Sequence, residues 1–353
     1  MNLLEKKILD GDRISCEDAV ALFSMDLLEL FRLGDARRRQ ISPSEEVGFI
    51  IDRIINFTNI CEAKCRFCAF HARADKVAPY VMTEIEILKK VGELKALGGS
   101  QVMLQGGLYP DLRLSDYARM VERVKASYPE IYVHSFSPAE LHFISERHGI
   151  PLREVIGTLK RAGLDSVPGA SDILVDRVRS DACPNKIPVE KWCEVMRILA
   201  ENGMKSSATM TYGMGETLAE RIDHLSLIRN IQDECGHIRA FIPWSFSPAN
   251  TQMAHLMPET GVTYLKIVAI ARIFLDNIRY IQAGWLTEGL KLAQIALAVG
   301  ANDMGGILME EVVVKATGIQ TETHMDEMVH LIRNAGKIPI LRDSAYQTVR
   351  RFL

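Results

Sequence analysis

The 353-residue chain lacks a dominant charge: 42 lysines and arginines stand against 45 aspartates and glutamates, for a net charge of -3 and a pI of about 6.3. No global field draws it to nucleic acid or to an anionic membrane surface, and neither is expected as a partner. It also lacks an apolar run of the roughly 18 residues that a membrane span needs. Near Met1 the apolar Leu3, Leu4 and Ile8 are interrupted by Glu5, Lys6 and Lys7, so no secretory core is present there. A soluble, cytoplasmic protein is expected. There is no internal repeat and no low-complexity linker at which to cut the chain. Cysteine is sparse, and its odd count of 7 in a long chain without a leader argues for reduced thiols and against a disulfide framework. Cys16, Cys183, Cys193 and Cys235 are scattered and read as packed or surface thiols.

The remaining three cysteines stand together. Cys61, Cys65 and Cys68, in N-I-C-E-A-K-C-R-F-C-A-F-H, have the C-x-x-x-C-x-x-C spacing that holds three irons of one [4Fe-4S] cube and leaves the fourth iron without a thiolate. That open iron can chelate the amino and carboxylate groups of S-adenosylmethionine, and the reduced cluster can then split the sulfonium to a 5'-deoxyadenosyl radical. Phe67 is placed to pack beside adenine. A competing reading takes His71 as a fourth ligand and makes a Cys3His zinc site in a noncatalytic barrel, although structural zinc sites usually draw on two separated knuckles.

Apolar, β-rich runs alternate with helical patterns eight times. The expected strands are Ile50–Phe57, Gln101–Gln105, Tyr132–Phe136, Ser166–Pro168, Ser206–Tyr212, Ala240–Phe246, Arg279–Ala283 and Met304–Met309. Helical periods follow at Glu84–Leu97, Tyr117–Ser127, Val189–Asn202, Leu218–Cys235, Tyr264–Asp276 and Glu288–Val299. Eight βα units imply an α/β (β/α)8 TIM barrel. Residues 1–45 read as an N-terminal helical extension, amphipathic over Cys16–Leu33 and with Arg37–Arg39 as a solvated charge run. Residues 46–353 form the barrel, with helical elements at the C-terminus.

Barrel chemistry sits on the loops at the C-terminal strand ends. The cysteine loop follows the first strand. The second ends in Gln105-Gly106-Gly107, where missing side chains would let backbone approach the methionine end of the cofactor. After the third comes His134-Ser135-Phe136-Ser137-Pro138-Ala139-Glu140, a polar mouth. Later strand ends contribute Asp172, Trp244, Asn250, Gln282 and Asn302. An aromatic ring and an amide on one loop, Trp244 and Asn250, suit a flat ring. Glu216 and the pair Thr217 with Glu220 read as helix caps. Of Glu310 and Glu311, at most one can face inward.

The segments C-E-A-K-C-R-F-C-A-F, Q-G-G-L-Y-P, H-S-F-S-P-A-E, A-G-L-D-S-V-P-G, I-L-V-D-R-V-R, F-I-P-W-S-F-S-P-A-N-T and G-L-K-L-A-Q-I-A-L-A-V-G-A-N-D resemble, over nearly the whole chain, the radical-SAM enzymes of the futalosine route to menaquinone. The tryptophan-bearing and D-R-V-R segments are most similar to the branch that cyclizes dehypoxanthine futalosine. Aminofutalosine synthases and tyrosine-using deazaflavin synthases share the cluster loop, the Gly-Gly strand and the Ala-Asn-Asp segment, and stay as alternatives. The resemblance implies a [4Fe-4S] cluster, S-adenosylmethionine, a small nucleoside-like carboxylate as substrate, and an electron donor such as flavodoxin or ferredoxin. It implies hydrogen abstraction from the ribose C4', bond formation to the benzoate ring, and loss of an electron and a proton. His134, Glu140 and Asp172 are then candidates for the base or for ribose hydrogen bonds. Phe67, Gly106, Gly107, Ser137 and Asp172 are assigned to the cofactor, and Ser135, Trp244, Asn250, Gln282 and Asn302 to the substrate, with Arg179 as a donor for the benzoate carboxylate. Two departures stand out: the family's longer glycine run ending in Ala-Glu is here Gly169-Ala170-Ser171-Asp172, and His71 replaces a more usual tyrosine.

Overall fold

Alternation of branched apolar residues with inward polar ones yields strands close to those expected. The computed structural model describes residues 3–73 and 77–353. It contains β1 (Glu46–Asn56), β2 (Gln101–Gln105), β3 (Tyr132–Val133), β4 (Ser166–Val167), β5 (Lys205–Tyr212), β6 (Ile238–Ser245), β7 (Tyr280–Ile281), β8 (Asp303–Leu308), β9 (Ile338–Arg342) and β10 (Thr348–Arg351). β8, β1, β2 and β3 pair in parallel, as do β4 to β7. Parallel bridges between His134 and Ser166 and between Gln282 and Asp303 join the two sheets into a ring. The expected α/β barrel is therefore observed, with a helical layer outside it.

Two register shifts shape the interior. Gly48 pairs with Asp303 but Ile50 with Gly306, so β8 carries an extra residue where Gly305 adopts φ +70°. Ser206 pairs with Ile238 but Ala208 with Phe241, which inserts one residue into β6.

Several boundaries differ from expectation. The amphipathic stretch 16–33 is two helices, Cys16–Leu22 and Leu27–Ile41, because Asp26 caps the second through its carboxylate on the Leu28 and Glu29 N–H groups. Arg37 and Arg38 are not solvated but buried, and Arg38 donates to the Ser42 and Ser44 carbonyls and to the carboxylates of Asp35 and Glu45. The single helix expected over Glu288–Val299 is split into Trp285–Glu288 and Leu290–Ala296 at Gly289, whose φ of +84° ends one helix and starts the next. The predicted capping box of Thr217 and Glu220 is present, but Glu216 does not cap that helix: it accepts from the Gly213 and Met214 N–H groups of the preceding turn and from Arg221.

The C-terminal part is not simply helical. After the helix Met325–Asn334, β9 runs parallel to the start of β1, with Glu46 opposite Ile338, and β10 returns antiparallel to β9. This hairpin covers the N-terminal end of the barrel and sends Arg342, Ser344 and Tyr346 into the lumen.

Candidate active site

The cysteine loop leaves β1 at the C-terminal rim and is held on both sides. Asn59 donates its amide to the Ala78 carbonyl (2.8 Å) and accepts from the Tyr80 N–H (2.9 Å). On the other side the Glu62 N–H donates to the Leu108 carbonyl (2.9 Å) and the Arg66 N–H to the Ala182 carbonyl (2.8 Å). The glycine pair makes this seating possible: a Cβ on Gly107 would stand 2.1 Å from the Ile60 carbonyl oxygen and one on Gly106 would stand 2.5 Å from the Phe57 ring. Their first task is to admit the loop, although both also line the cavity. Lys64, Phe136, Ala170 and Asp172 all adopt positive φ, between 39° and 64°, so non-glycine strain collects at this rim.

The donor set suits a cluster better than a single ion. Cys61, Cys65 and Cys68 share one loop and one cavity wall, yet among the described residues no three Cys, His, Asp or Glu side chains converge enough to hold one metal ion. The His71 ring hydrogen-bonds the Cys68 backbone, and its Nδ1 is buried without a partner. A hydrogen bond with Cys183, then burial, push the Cys65 thiol above its ordinary value, and ligation to iron releases its proton.

Cys183 was expected to be incidental. It is indeed packed, but it is packed in the cluster's own surroundings, beside Ala63, Cys65 and Leu108. It follows the helix Asp176–Ala182, which Arg66 ties to the loop through both Ala182 and an ion pair with Asp181. Three residues on, Lys186 forms an ion pair with Asp172 and lies 5.6 Å from the Phe67 ring centroid. Burial alone would lower the Lys186 ammonium, but Asp172 and the two thiols outweigh it and hold the group charged.

Below the rim lies a cavity of about 440 Å³. Of the residues singled out from sequence, Cys61, Cys65, Phe67, Cys68, Gly106, Gly107, His134, Ser137, Glu140, Asp172, Trp244 and Gln282 line it. The His134 Nδ1 is 2.6 Å from the Ser166 Oγ, and burial together with Arg239 and Arg342 holds the imidazole well below its usual range, so it is neutral. Burial pushes Glu140 up to about 8, while the Ser137 hydroxyl (2.7 Å) and the Gly106 N–H (3.1 Å) donate to its carboxyl. The Trp244 Nε1 donates to the Thr211 Oγ1 at 2.7 Å. Glu311 faces the cavity whereas Glu310 turns out to Arg53 and Lys90, in keeping with the rule that only one can point inward.

Four assigned residues lie elsewhere. Ser135 is fully buried and its hydroxyl accepts from the Leu104 N–H (2.9 Å), so it fastens β3 to β2. Arg179 is neither on a solvated face nor in the cavity: it is buried and donates to the Ser171, Ile173 and Ile187 carbonyls. Asn250, at φ +62° on an exposed loop, donates to the Ala316 carbonyl. Asn302 is buried with its Oδ1 accepting from Arg272 and from the Ile281 N–H.

Sequence reasoning missed Asp52, Lys186, Arg239, Arg342 and Tyr346, all of which line the cavity. Asp52 is a lone acid in the apolar run F-I-I-D-R-I-I, a signal that was there to be read. Its Oδ2 accepts from the Gln101 amide at 3.3 Å, its Oδ1 has no partner, and burial, partly offset by Arg342, pushes it up to about 7.

The sequence matches two family models, the Radical SAM superfamily over residues 55–228 and the CofH/MqnC C-terminal region over 235–352. It is 39% identical to the cyclic dehypoxanthine futalosine synthase of Halalkalibacterium halodurans, over 99% of this chain and 95% of that one. It is 40% identical to a 5-amino-6-(D-ribitylamino)uracil--L-tyrosine 4-hydroxyphenyl transferase of Methanosarcina acetivorans, over 94% of this chain and 90% of that one. Among solved structures, methylornithine synthase superposes with a TM-score of 0.76 at 18% identity, covering 95% of this chain and 97% of that one, a likeness of fold. Near-full-length identity at this level, with the three-cysteine loop intact at the barrel rim, makes the chain a member of the radical SAM superfamily, an enzyme of the group with a CofH/MqnC C-terminal region that works with a [4Fe-4S] cluster and S-adenosylmethionine.

Proposed function

We propose that this enzyme cyclizes dehypoxanthine futalosine to cyclic dehypoxanthine futalosine in menaquinone biosynthesis. The observation that carries the reading is Trp244: the residue of the discriminating I-P-W-S-F-S-P-A-N-T segment stands in the wall of the cavity below the cysteine loop. When bound, the cluster held by Cys61, Cys65 and Cys68 and the S-adenosylmethionine on it supply a 5'-deoxyadenosyl radical. The substrate's C4'–H bond breaks, a carbon–carbon bond forms between C4' and the benzoate ring, and the ring regains aromaticity by giving up one electron and one proton.

The lumen residues divide this work according to their charge states. Phe67, beside Lys186, would pack against the adenine, and Asp172, with one carboxylate oxygen on Lys186, would offer the other to a ribose hydroxyl. Glu140, protonated up to about pH 8, donates a hydrogen bond near neutrality and is a poor base there. His134 is neutral but too weakly basic to hold a proton well. Asp52, near 7 and with one oxygen unpartnered, is the best-matched acceptor of the ring proton. Flavodoxin or ferredoxin fits as electron donor and the cytoplasm as the place of action. No described helix is long and apolar enough to cross a membrane.

Transfer of the tyrosine side chain to 5-amino-6-(D-ribitylamino)uracil is the second reading, favoured by the 40% identity to an enzyme of that name. Anaerobic incubation of the reconstituted protein, S-adenosylmethionine and a reductant with either substrate set, followed by mass spectrometry, separates the two. Free 5'-deoxyadenosine with a cyclized product two hydrogens lighter than the substrate supports cyclization. Turnover only with tyrosine and the ribitylaminouracil overturns it.

A further inference from the structure

Barrels of this class are usually filled by layers of branched apolar side chains. Here the lower lumen is polar and open, and its charges do not balance locally. Arg342 is satisfied, because its Nε and Nη2 meet the two oxygens of Asp303 at 2.5 and 2.8 Å. Arg239 is not. The inserted residue in β6 turns its side chain into the lumen on the same side as Ile242 and Trp244. There it donates to neutral oxygens only: Ser166 Oγ (3.1 Å), Tyr132 OH (3.4 Å) and the Ser344 carbonyl. No described carboxylate lies within 4 Å of it, and its Nε has no acceptor among the described residues. A guanidinium in a cavity wall with neutral partners alone is short of the anion that it binds best, in a forked pair of charge-assisted hydrogen bonds.

Position fixes which anion this is. Arg239 is the second residue of β6 and Trp244 the seventh, and with the inserted residue between them they stand about four regular strand steps apart, roughly 13 Å at 3.3 Å per residue. A group meeting Arg239 belongs to the far end of the substrate, not to the cofactor. The donor sought from sequence at Arg179 is absent from the cavity, which leaves the floor as the place for it.

We propose that Arg239 anchors the carboxylate of the substrate at the floor of the lumen, so that an aryl carboxylate stands along the barrel axis with its ribose toward the cysteine loop. The identity of that carboxylate as the benzoate of dehypoxanthine futalosine rests on the function proposed above. The site itself requires only a carboxylate-bearing ligand.

The test is a two-by-two binding cycle on the anaerobically reconstituted enzyme with S-adenosylmethionine, measured by calorimetry. Dehypoxanthine futalosine and its carboxamide are titrated into the wild type and Arg239→Gln. The wild type should prefer the carboxylate by about 10- to 100-fold, and Arg239→Gln should lose that preference while binding the amide within about threefold of the wild type. Equal losses on both ligands would reduce Arg239 to a support for the hairpin and overturn the anchor. Should Arg239→Gln fail to fold, Arg239→Lys should retain part of the preference, and an unchanged preference there overturns the proposal. If the wild type binds neither compound, the cyclase reading fails, and the same cycle with L-tyrosine and L-tyrosinamide supports the anchor or overturns it.

Discussion

Asp172→Asn tests the ion pair beside the cysteine loop. The Asp172 and Lys186 side chains are 14% and 16% exposed, and Arg179 adds a weaker approach at 3.9 Å. Two unit charges about 3 to 4 Å apart at an effective dielectric near 20 attract by roughly 4 to 5 kcal/mol. Removing one partner of a buried pair typically costs about 3 to 5 kcal/mol, because the other is stranded, and residual solvent access here brings the expectation down to about 2 to 3 kcal/mol. For a chain of this size that corresponds to a fall in melting temperature of roughly 3 to 4 °C. Anaerobic melts of Asp172→Asn, Lys186→Met and the double variant decide the matter, because the double variant removes the stranded ammonium and should recover most of the loss. A single variant that melts within about 1 °C of the wild type, or a double variant whose loss is the sum of both singles, would refute the pair as a stabilising unit.

Asp52→Asn should lower turnover by at least about 100-fold while substrate binding stays within a few fold, and the rise of wild-type kcat/KM with pH through about 7 should disappear; an intact pH limb in the variant would return the base role to another group. Glu140 carries a raised folded pKa of about 8, so the native state holds its proton between about 4.5 and 8 where the unfolded chain has released it. Stability should therefore fall as pH rises across that window, and Glu140→Gln should flatten the slope in urea titrations at pH 5 and pH 8. Cys61→Ala, Cys65→Ala and Cys68→Ala should each abolish the [4Fe-4S] spectrum and deoxyadenosine formation, whereas Cys183→Ala should keep one cluster per chain by iron and sulfide assay. Gly107→Ala drives a methyl against the Ile60 carbonyl, so cluster occupancy should fall several-fold with the far-ultraviolet circular dichroism unchanged.

What could be read from sequence follows the range of the forces involved. The eight strands and the three-cysteine loop rest on local periodicity and spacing, and they appear nearly where expected. Arg179, on a helix, and Asn302, beside a strand, were misassigned because a polar residue there has two solutions, facing a ligand or tying backbone, and only the fold shows that buried carbonyls and Arg272 take up their hydrogen bonds. Arg239 needed the inserted residue in β6 before period two could place it in the lumen, and no local pattern announces that shift. Arg342 and Tyr346 needed the pairing of β9 with β1, a contact set by the far end of the chain.

That same pairing has a consequence for how the enzyme is made. Lys337 and Glu45, which clasp the start of β9 to the approach to β1, are 292 positions apart. At roughly 5 to 20 residues per second of synthesis, β1 waits about 15 to 60 s for the strand that covers its lower half. Until β9 arrives the nascent barrel is uncovered at its lower end, and Asp303, once made, lacks the guanidinium that neutralises it. A reaction chamber able to confine a radical is thus completed only after all eight barrel strands have been made, and a chain cut short before Ile338 leaves the lower end of the barrel open to water.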